Sequence, residues 1–381
     1  MSTGLVPADL LGREDRPRRA PAPVAAAVGA TVAGLVLTPV GLALGVGWLV
    51  HGSAGLVMVT GLGCLLLGVA GLGWGSVGLV SRASGWWRLV PGAVLVALTM
   101  LVVPATWPAV YATHPPRPAL GSTTPADLGL QYRDVTFAAS DGVLLSGWYV
   151  PTRTGAAVVL LHGAGGTRTS VLAQAAVLAR HGYGVLLYDA RGHGRSAGRA
   201  MELGWYGDQD VSGAVSLLTR TREVDPARLA VMGLSMGGEQ AIGAAAGDRR
   251  VACVVAEGAT GRGADDLDWL SDQYGWRGAF TETWRGWLTY RLADLLTPAE
   301  PPVSLHHAVA QAAPRPVLLV TAGSVPDERR AAAWIRAASP ASVSSWDVPS
   351  AGHTGGLATA PNAWTRHVVG FLDRCLAPGT R

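Results

Sequence analysis

The sequence predicts an α/β domain, a mostly parallel sheet with helices on both faces, behind an apolar region that crosses a membrane three times. Three observations predict it. From about residue 130 onward, short apolar runs alternate with helical segments, as in parallel sheets covered on both faces. Before that, three uncharged stretches are each long enough to span roughly 30 Å of hydrocarbon. Midway through the domain, Val231-Met232-Gly233-Leu234-Ser235-Met236-Gly237-Gly238 joins an apolar strand to a small-residue helix through a Gly-x-Ser-x-Gly turn.

Length and charge narrow the classes of function. The 381 residues leave room for one large domain and a second region, and charged residues are only 15% of the chain, which suits a membrane-associated second region. All 30 basic residues are arginine. Six arginines and three acidic residues lie in 1–113, leaving 24 and 23 from His114 onward, so the large domain is near neutral and presents no basic face to nucleic acid. Without lysine a Walker phosphate loop is excluded. Cys64 falls in an apolar span, Cys253 in a core strand and Cys375 in a terminal helix, and all three are expected to be buried free thiols rather than a disulfide.

Residues 1–22 form a polar, proline-bearing tail with Arg13, Arg16, Arg18 and Arg19, expected to be disordered and cytoplasmic. The spans follow at 23–50, 54–80 and 89–112, with Trp48, Trp86, Trp87, Trp107 and Tyr111 near their ends as interfacial aromatics. Their glycines allow close helix approach in lipid. Arginines in the tail and at Arg82 and Arg88, set against none in His51-Gly52-Ser53, put tail and second loop in the cytoplasm and the large domain outside. A cleaved signal peptide in place of the first span leaves the domain's placement unchanged. Residues 114–129 read as a proline-rich linker, extended and standing the domain off the membrane.

In the domain, 130–381, strands are expected at 131–138 and 143–150, joined by a turn at Asp141-Gly142, then at 156–161, 184–188, 228–232, 251–256, 316–321 and 342–348. Helices are expected at about 169–181, 208–220, 236–246, 327–338 and 363–376. From 258 to 314 the alternation stops and Trp269, Tyr274, Trp276, Trp284, Trp287 and Tyr290 crowd together. That insertion reads as a cap, its aromatics lining an apolar pocket or packing as the cap's own core.

The Gly-x-Ser-x-Gly pattern is weak alone, since about 0.4 matches are expected by chance in so glycine-rich a chain, and Gly194-Arg195-Ser196-Ala197-Gly198 matches too. Context separates them: Ser235 directly follows a strand and opens a helix, whereas Ser196 lies well beyond the strand ending at Tyr188. A serine hydroxyl needs a base to take its proton and a carboxylate to hold that base. His353, in the loop after the last strand, is the candidate base. Asp327, just beyond the strand ending at Thr321, is the candidate acid, with Glu328 and Glu257 as rivals. Backbone N–H groups of Met236 and of Ala164, in His162-Gly163-Ala164-Gly165-Gly166, are the candidate oxyanion donors. His162 itself reads as structural, bonding loop backbone.

A dinucleotide reading of Gly163-Ala164-Gly165 with Asp189 lacks its third glycine, Arg168 standing there. His306-His307 has no companion ligands at metal spacing. No cofactor and no metal are expected.

With Ser235, Asp327 and His353 in that order, residues 130–376 resemble the α/β-hydrolase superfamily, most like its dienelactone hydrolase and prolyl oligopeptidase-like serine hydrolases. The resemblance rests on His162-Gly163, Asp189-Ala190-Arg191-Gly192-His193-Gly194-Arg195-Ser196, the nucleophile turn and Gly352-His353. It implies Ser235 as nucleophile, His353 as base, Asp327 as acid, Ala164 and Met236 as oxyanion donors, and a structural loop at 189–196. Gly323-Ser324-Val325-Pro326-Asp327 carries one residue more than the family's usual Gly-x-x-Asp. The expected function is a membrane-anchored serine hydrolase acting on a small or lipid-like ester, less readily an amide or peptide. An inactive hydrolase-fold interaction module and an acyltransferase using the same residues are the alternatives.

Overall fold

The computed structural model describes residues 23–379; the expected basic tail, 1–22, lies outside the described residues. Three long apolar helices come first: α1 (Val24–Val50, with a π-helical turn over Leu42–Val46), α2 (Leu56–Val80) and α3 (Leu89–Thr113). All three are long and apolar enough to cross a membrane. Glycine sets the α1–α2 spacing, for a Cβ at Gly61 would sit 2.3 Å from the backbone nitrogen of Gly45. Only small residues let two backbones come that close.

The rest of the chain forms one eight-stranded sheet in the order β1-β2-β4-β3-β5-β6-β7-β8. The strands are β1 (Arg133–Ala138), β2 (Leu144–Val150), β3 (Ala157–Leu161), β4 (Gly184–Tyr188), β5 (Leu229–Leu234), β6 (Val251–Glu257), β7 (Val317–Ala322) and β8 (Val343–Val348). β1 and β2 pair antiparallel, β2 joins β4 antiparallel, and every other pairing is parallel. Every residue of β3, β4, β5 and β7 is buried, because parallel strands covered on both faces leave no polar side.

Two apolar cores flank the sheet. One holds α5 (Gly207–Thr219), α6 (Met236–Gly247) and α8 (Leu305–Ala312); the other holds α4 (Leu172–Arg180) and α10 (Pro361–Cys375). α9 (Pro326–Ala337) packs Ala332 and Ile335 into the first. Because Ala259, Leu305, Ala308, Val309 and Ala312 lie in the sheet core, only the part of 258–314 between Ala259 and α8 stands outside it. That part is dominated by α7 (Leu270–Leu296), bent at Gly275, whose φ of 61° is left-handed.

Three expectations are corrected. Cys253 and Cys375 form a disulfide and are not free thiols, since α10 lies across β6 and brings their Cα atoms to 6.4 Å. The linker lies against the domain rather than extending free of it. Gly194 N–H donates to Pro118 O at 3.0 Å and Arg117 donates to the carbonyl of Gly198 at 3.2 Å, tying it to the domain. Of the two readings of the cap aromatics, a single shared core does not form: Trp269 is buried, while Trp276 and Trp287 are exposed along α7.

The third apolar helix is continuous with this cap. Thr289 Oγ1 donates to Ala105 O at 2.8 Å, and Ala109 of α3 is buried with Ala293, Met201 and Trp205.

Candidate active site

Ser235 sits between β5 and α6 at φ 54° and ψ −124°, a conformation that costs a non-glycine residue about 1–3 kcal/mol. The surroundings hold it there. Ser235 N–H donates to Glu257 O at 2.7 Å, and Ser235 O accepts from Gly238 N–H at 2.8 Å. Gly233 allows the tight turn, because a Cβ there would lie 2.1 Å from Gly237 O. The strain lifts Oγ clear of the sheet edge.

His353 reaches that oxygen from the loop after β8. Its Nε2 lies 2.8 Å from Ser235 Oγ, and its Nδ1 lies 2.7 Å from Glu328 Oε1. A carboxylate only accepts, so Nδ1 carries the proton donated to Glu328, and the lone pair on Nε2 accepts the serine hydroxyl. The hydrogen bond to Glu328 raises the imidazole above its ordinary pKa, with burial acting against it. Gly258 leaves room for the ring, since a Cβ there would lie 2.9 Å from His353 Cε1.

The carboxylate beside His353 therefore belongs to Glu328 and not to the expected Asp327. Glu328 is 1% exposed, and its second oxygen accepts from Ala322 N–H at 2.8 Å at the end of β7. Asp327 points elsewhere and accepts from Tyr274 O–H at 3.3 Å. The signal was in the helix pattern: Glu328 shares the i+3, i+4, i+7 spacing of the buried Ala331, Ala332 and Ile335, whereas Asp327 is turned about 100° off that stripe. Glu257, the other rival, accepts from Gly356 N–H at 2.8 Å and Trp364 Nε1–H at 2.9 Å, which braces the segment just after His353. Burial raises its pKa.

Met236 opens α6, so its N–H has no carbonyl one turn earlier to bond and lies at the positive end of the helix. Across from it runs the loop after β3. His162 Nε2 accepts from Ala190 N–H at 3.0 Å, which puts the ring proton on Nδ1, 2.7 Å from Gly163 O. Burial holds this imidazole neutral, with a pKa lowered to about 4. Gly163 O also accepts from Gly166 N–H at 3.1 Å. With that carbonyl held by two donors, the N–H of Ala164, on the same peptide plane, points the opposite way.

The decoy serine is structural. Ser196 is buried, bonding Asp189 O and accepting from Ser146 N–H at 2.9 Å. Asp189 is equally occupied, by the N–H groups of Arg168 and Arg195 at 2.9 Å each. His306 bonds Trp334 O and His307 bonds Ser304.

A buried strand feeding a strained serine, with a histidine and an acid supplied in chain order from the carboxyl ends of later strands of one sheet, is decisive for fold. The chain has the α/β-hydrolase fold. Residues 152–298 match the family model described as serine aminopeptidase, S33. The Pyrococcus furiosus esterase Pf2001 is 25% identical with a TM-score of 0.53, over 68% of this chain and 99% of that one. An uncharacterized protein of Mycobacterium tuberculosis is 41% identical over 135 residues, 34% of this chain and 45% of the relative. The thiohydrolase aneE of Aspergillus aculeatus is 34% identical over 128 residues, 32% and 40% of the two chains. The chain thus spans less than half the length of these curated relatives.

Proposed function

We propose that this protein is a membrane-anchored serine hydrolase that cleaves an ester through an acyl-enzyme, with Ser235 as nucleophile, His353 as base and Glu328 as the acid orienting it. The hydrogen-bonded series Ser235, His353, Glu328 carries the reading. Ser235 Oγ attacks the acyl carbon while His353 Nε2 takes its proton, and Glu328 stabilises the imidazolium that forms. The oxyanion is met by the N–H groups of Met236 and Ala164. His353 then passes its proton to the departing alkoxide, and water repeats the sequence to release the acid.

The three apolar helices would anchor the enzyme, and the arginine distribution favours an outward-facing domain. The Cys253–Cys375 disulfide supports the same side, because disulfides persist in oxidising compartments. An apolar, lipid-like ester suits the cap. α7 packs on α3 and carries Trp276, Phe280, Trp287 and Leu295 exposed to its surroundings.

A fluorophosphonate probe tests the chemistry on the full chain. Labelling that disappears in Ser235→Ala supports it, while an unlabelled wild type leaves the inactive-module alternative. Product analysis with a competing alcohol distinguishes hydrolysis from acyl transfer.

A further inference from the structure

Glu202 is an acid the proposed chemistry does not use, yet its side chain is 7% exposed and fully engaged beside the site. Oε2 accepts the N–H of Gly165 at 2.7 Å, and Oε1 lies 3.1 Å from His193 Nε2. His193 Nδ1 lies 3.0 Å from Arg191 O. An acceptor on each nitrogen is satisfied only by the imidazolium, so the carboxylate is held by a buried positive partner. Its backbone is fixed as well, Glu202 N–H donating to Ala112 O at 2.8 Å, next to the last residue of α3.

These bonds act on two successive peptide planes. His162 and Gly166 hold the plane between Gly163 and Ala164 from its carbonyl end. Glu202 holds the next plane, between Ala164 and Gly165, from its N–H end, at a glycine whose φ of 66° is left-handed. Ala164 lies between the two. Released from Glu202, the Gly165 N–H and the exposed turn around it would rotate toward water, and the Ala164 N–H would leave its aim.

We propose that Glu202 is the positioning residue of the oxyanion loop, clamping Gly165 so that Ala164 N–H stays directed at the nascent oxyanion, and tying that loop to the end of α3. The inference rests on the serine-hydrolase reading of Ser235. It also makes the third apolar helix part of what keeps the site in order, through the backbone of the clamping residue.

The test compares the full-length wild type with Glu202→Ala, Glu202→Asp and Glu202→Gln, using a soluble p-nitrophenyl ester and an aryl boronic acid that forms a tetrahedral adduct on serine. Loss of a well-aimed oxyanion donor costs about 100-fold in kcat. Alanine, and aspartate one methylene too short to reach Gly165, should approach that loss with KM changed less than about three-fold, and boronate affinity should fall in step. Glutamine should recover most of the rate. Its carbonyl still accepts from Gly165 while its amide donates to a neutral His193.

Wild-type kcat in both alanine and aspartate variants overturns the clamp. So does a glutamine variant that fails as badly as alanine with an equal fall in Tm, which is the mark of a purely structural residue. A wild type inert toward both ester and fluorophosphonate removes the serine-hydrolase reading, and the proposal with it. An active wild type beside unaffected variants removes the clamp alone.

Discussion

Glu328 Oε1 lies 2.7 Å from His353 Nδ1, although the residue before it is also an acid. Two carboxylates lie in the first turn of α9, and a rotation of about 100° decides between them. Glu328 faces the sheet, where its other oxygen is fixed by Ala322 N–H, and Asp327 faces α7. The extra methylene of glutamate spans the distance from a helix face to a histidine rising off the next strand.

The first prediction follows from that difference. Glu328→Ala should lower kcat by about 10⁴-fold, in the range seen when the orienting acid of a serine-histidine-acid system is lost. Asp327→Ala should stay within about three-fold of wild type, because it removes one half-exposed hydrogen bond. Steady-state kinetics of the two variants decide it. The opposite ranking would restore Asp327.

Activity should fall on the acid side as His353 becomes protonated, since only the neutral ring accepts the serine proton. The Glu328 bond raises that pKa above the ordinary histidine value of about 6.5, so the limb lies above that pH. In Glu328→Gln the raising partner is lost, and the limb should move to lower pH even as the maximum rate drops. A kcat/KM profile that keeps its acid limb in place contradicts this origin.

Glu257 should matter for stability more than for chemistry. Glu257→Ala strands the Gly356 N–H and the Trp364 indole N–H in the core, at about 1–3 kcal/mol for each unsatisfied group. Trp364→Phe removes one donor and should cost less. Denaturant unfolding of the extracted protein measures both, and a wild-type midpoint in Glu257→Ala would show that the brace is not needed.

The disulfide and the proposed outward orientation of the domain make a joint prediction. Non-reducing peptide mapping of protein from intact membranes should recover the Cys253 and Cys375 peptides as one linked species. A protease added outside intact cells should remove the domain and spare the apolar helices. Two free thiols on a protected domain would reverse the proposed orientation.

Much of the site is legible in the sequence. Ser235 could be separated from Ser196 because a buried strand and a small-residue helix are local features, written in consecutive residues. His353 followed from its place after the last strand. Glu202 carried no such signal: it lies in an irregular segment, and its partners Gly165, His193 and Ala112 meet it only through the fold.

By itself the sequence determined the α/β class, the order of strands and helices, the three apolar helices and the serine turn, because periodicity, apolar length and turn chemistry are local. Tertiary structure alone decided that the inward-facing one of two adjacent acids meets His353, which thiols join, and that the cap rests on the third apolar helix. Each of those depends on the direction of one side chain or the meeting of distant segments. A rotation of about 100° per helical residue separates Glu328 from Asp327, and 122 residues separate Cys253 from Cys375.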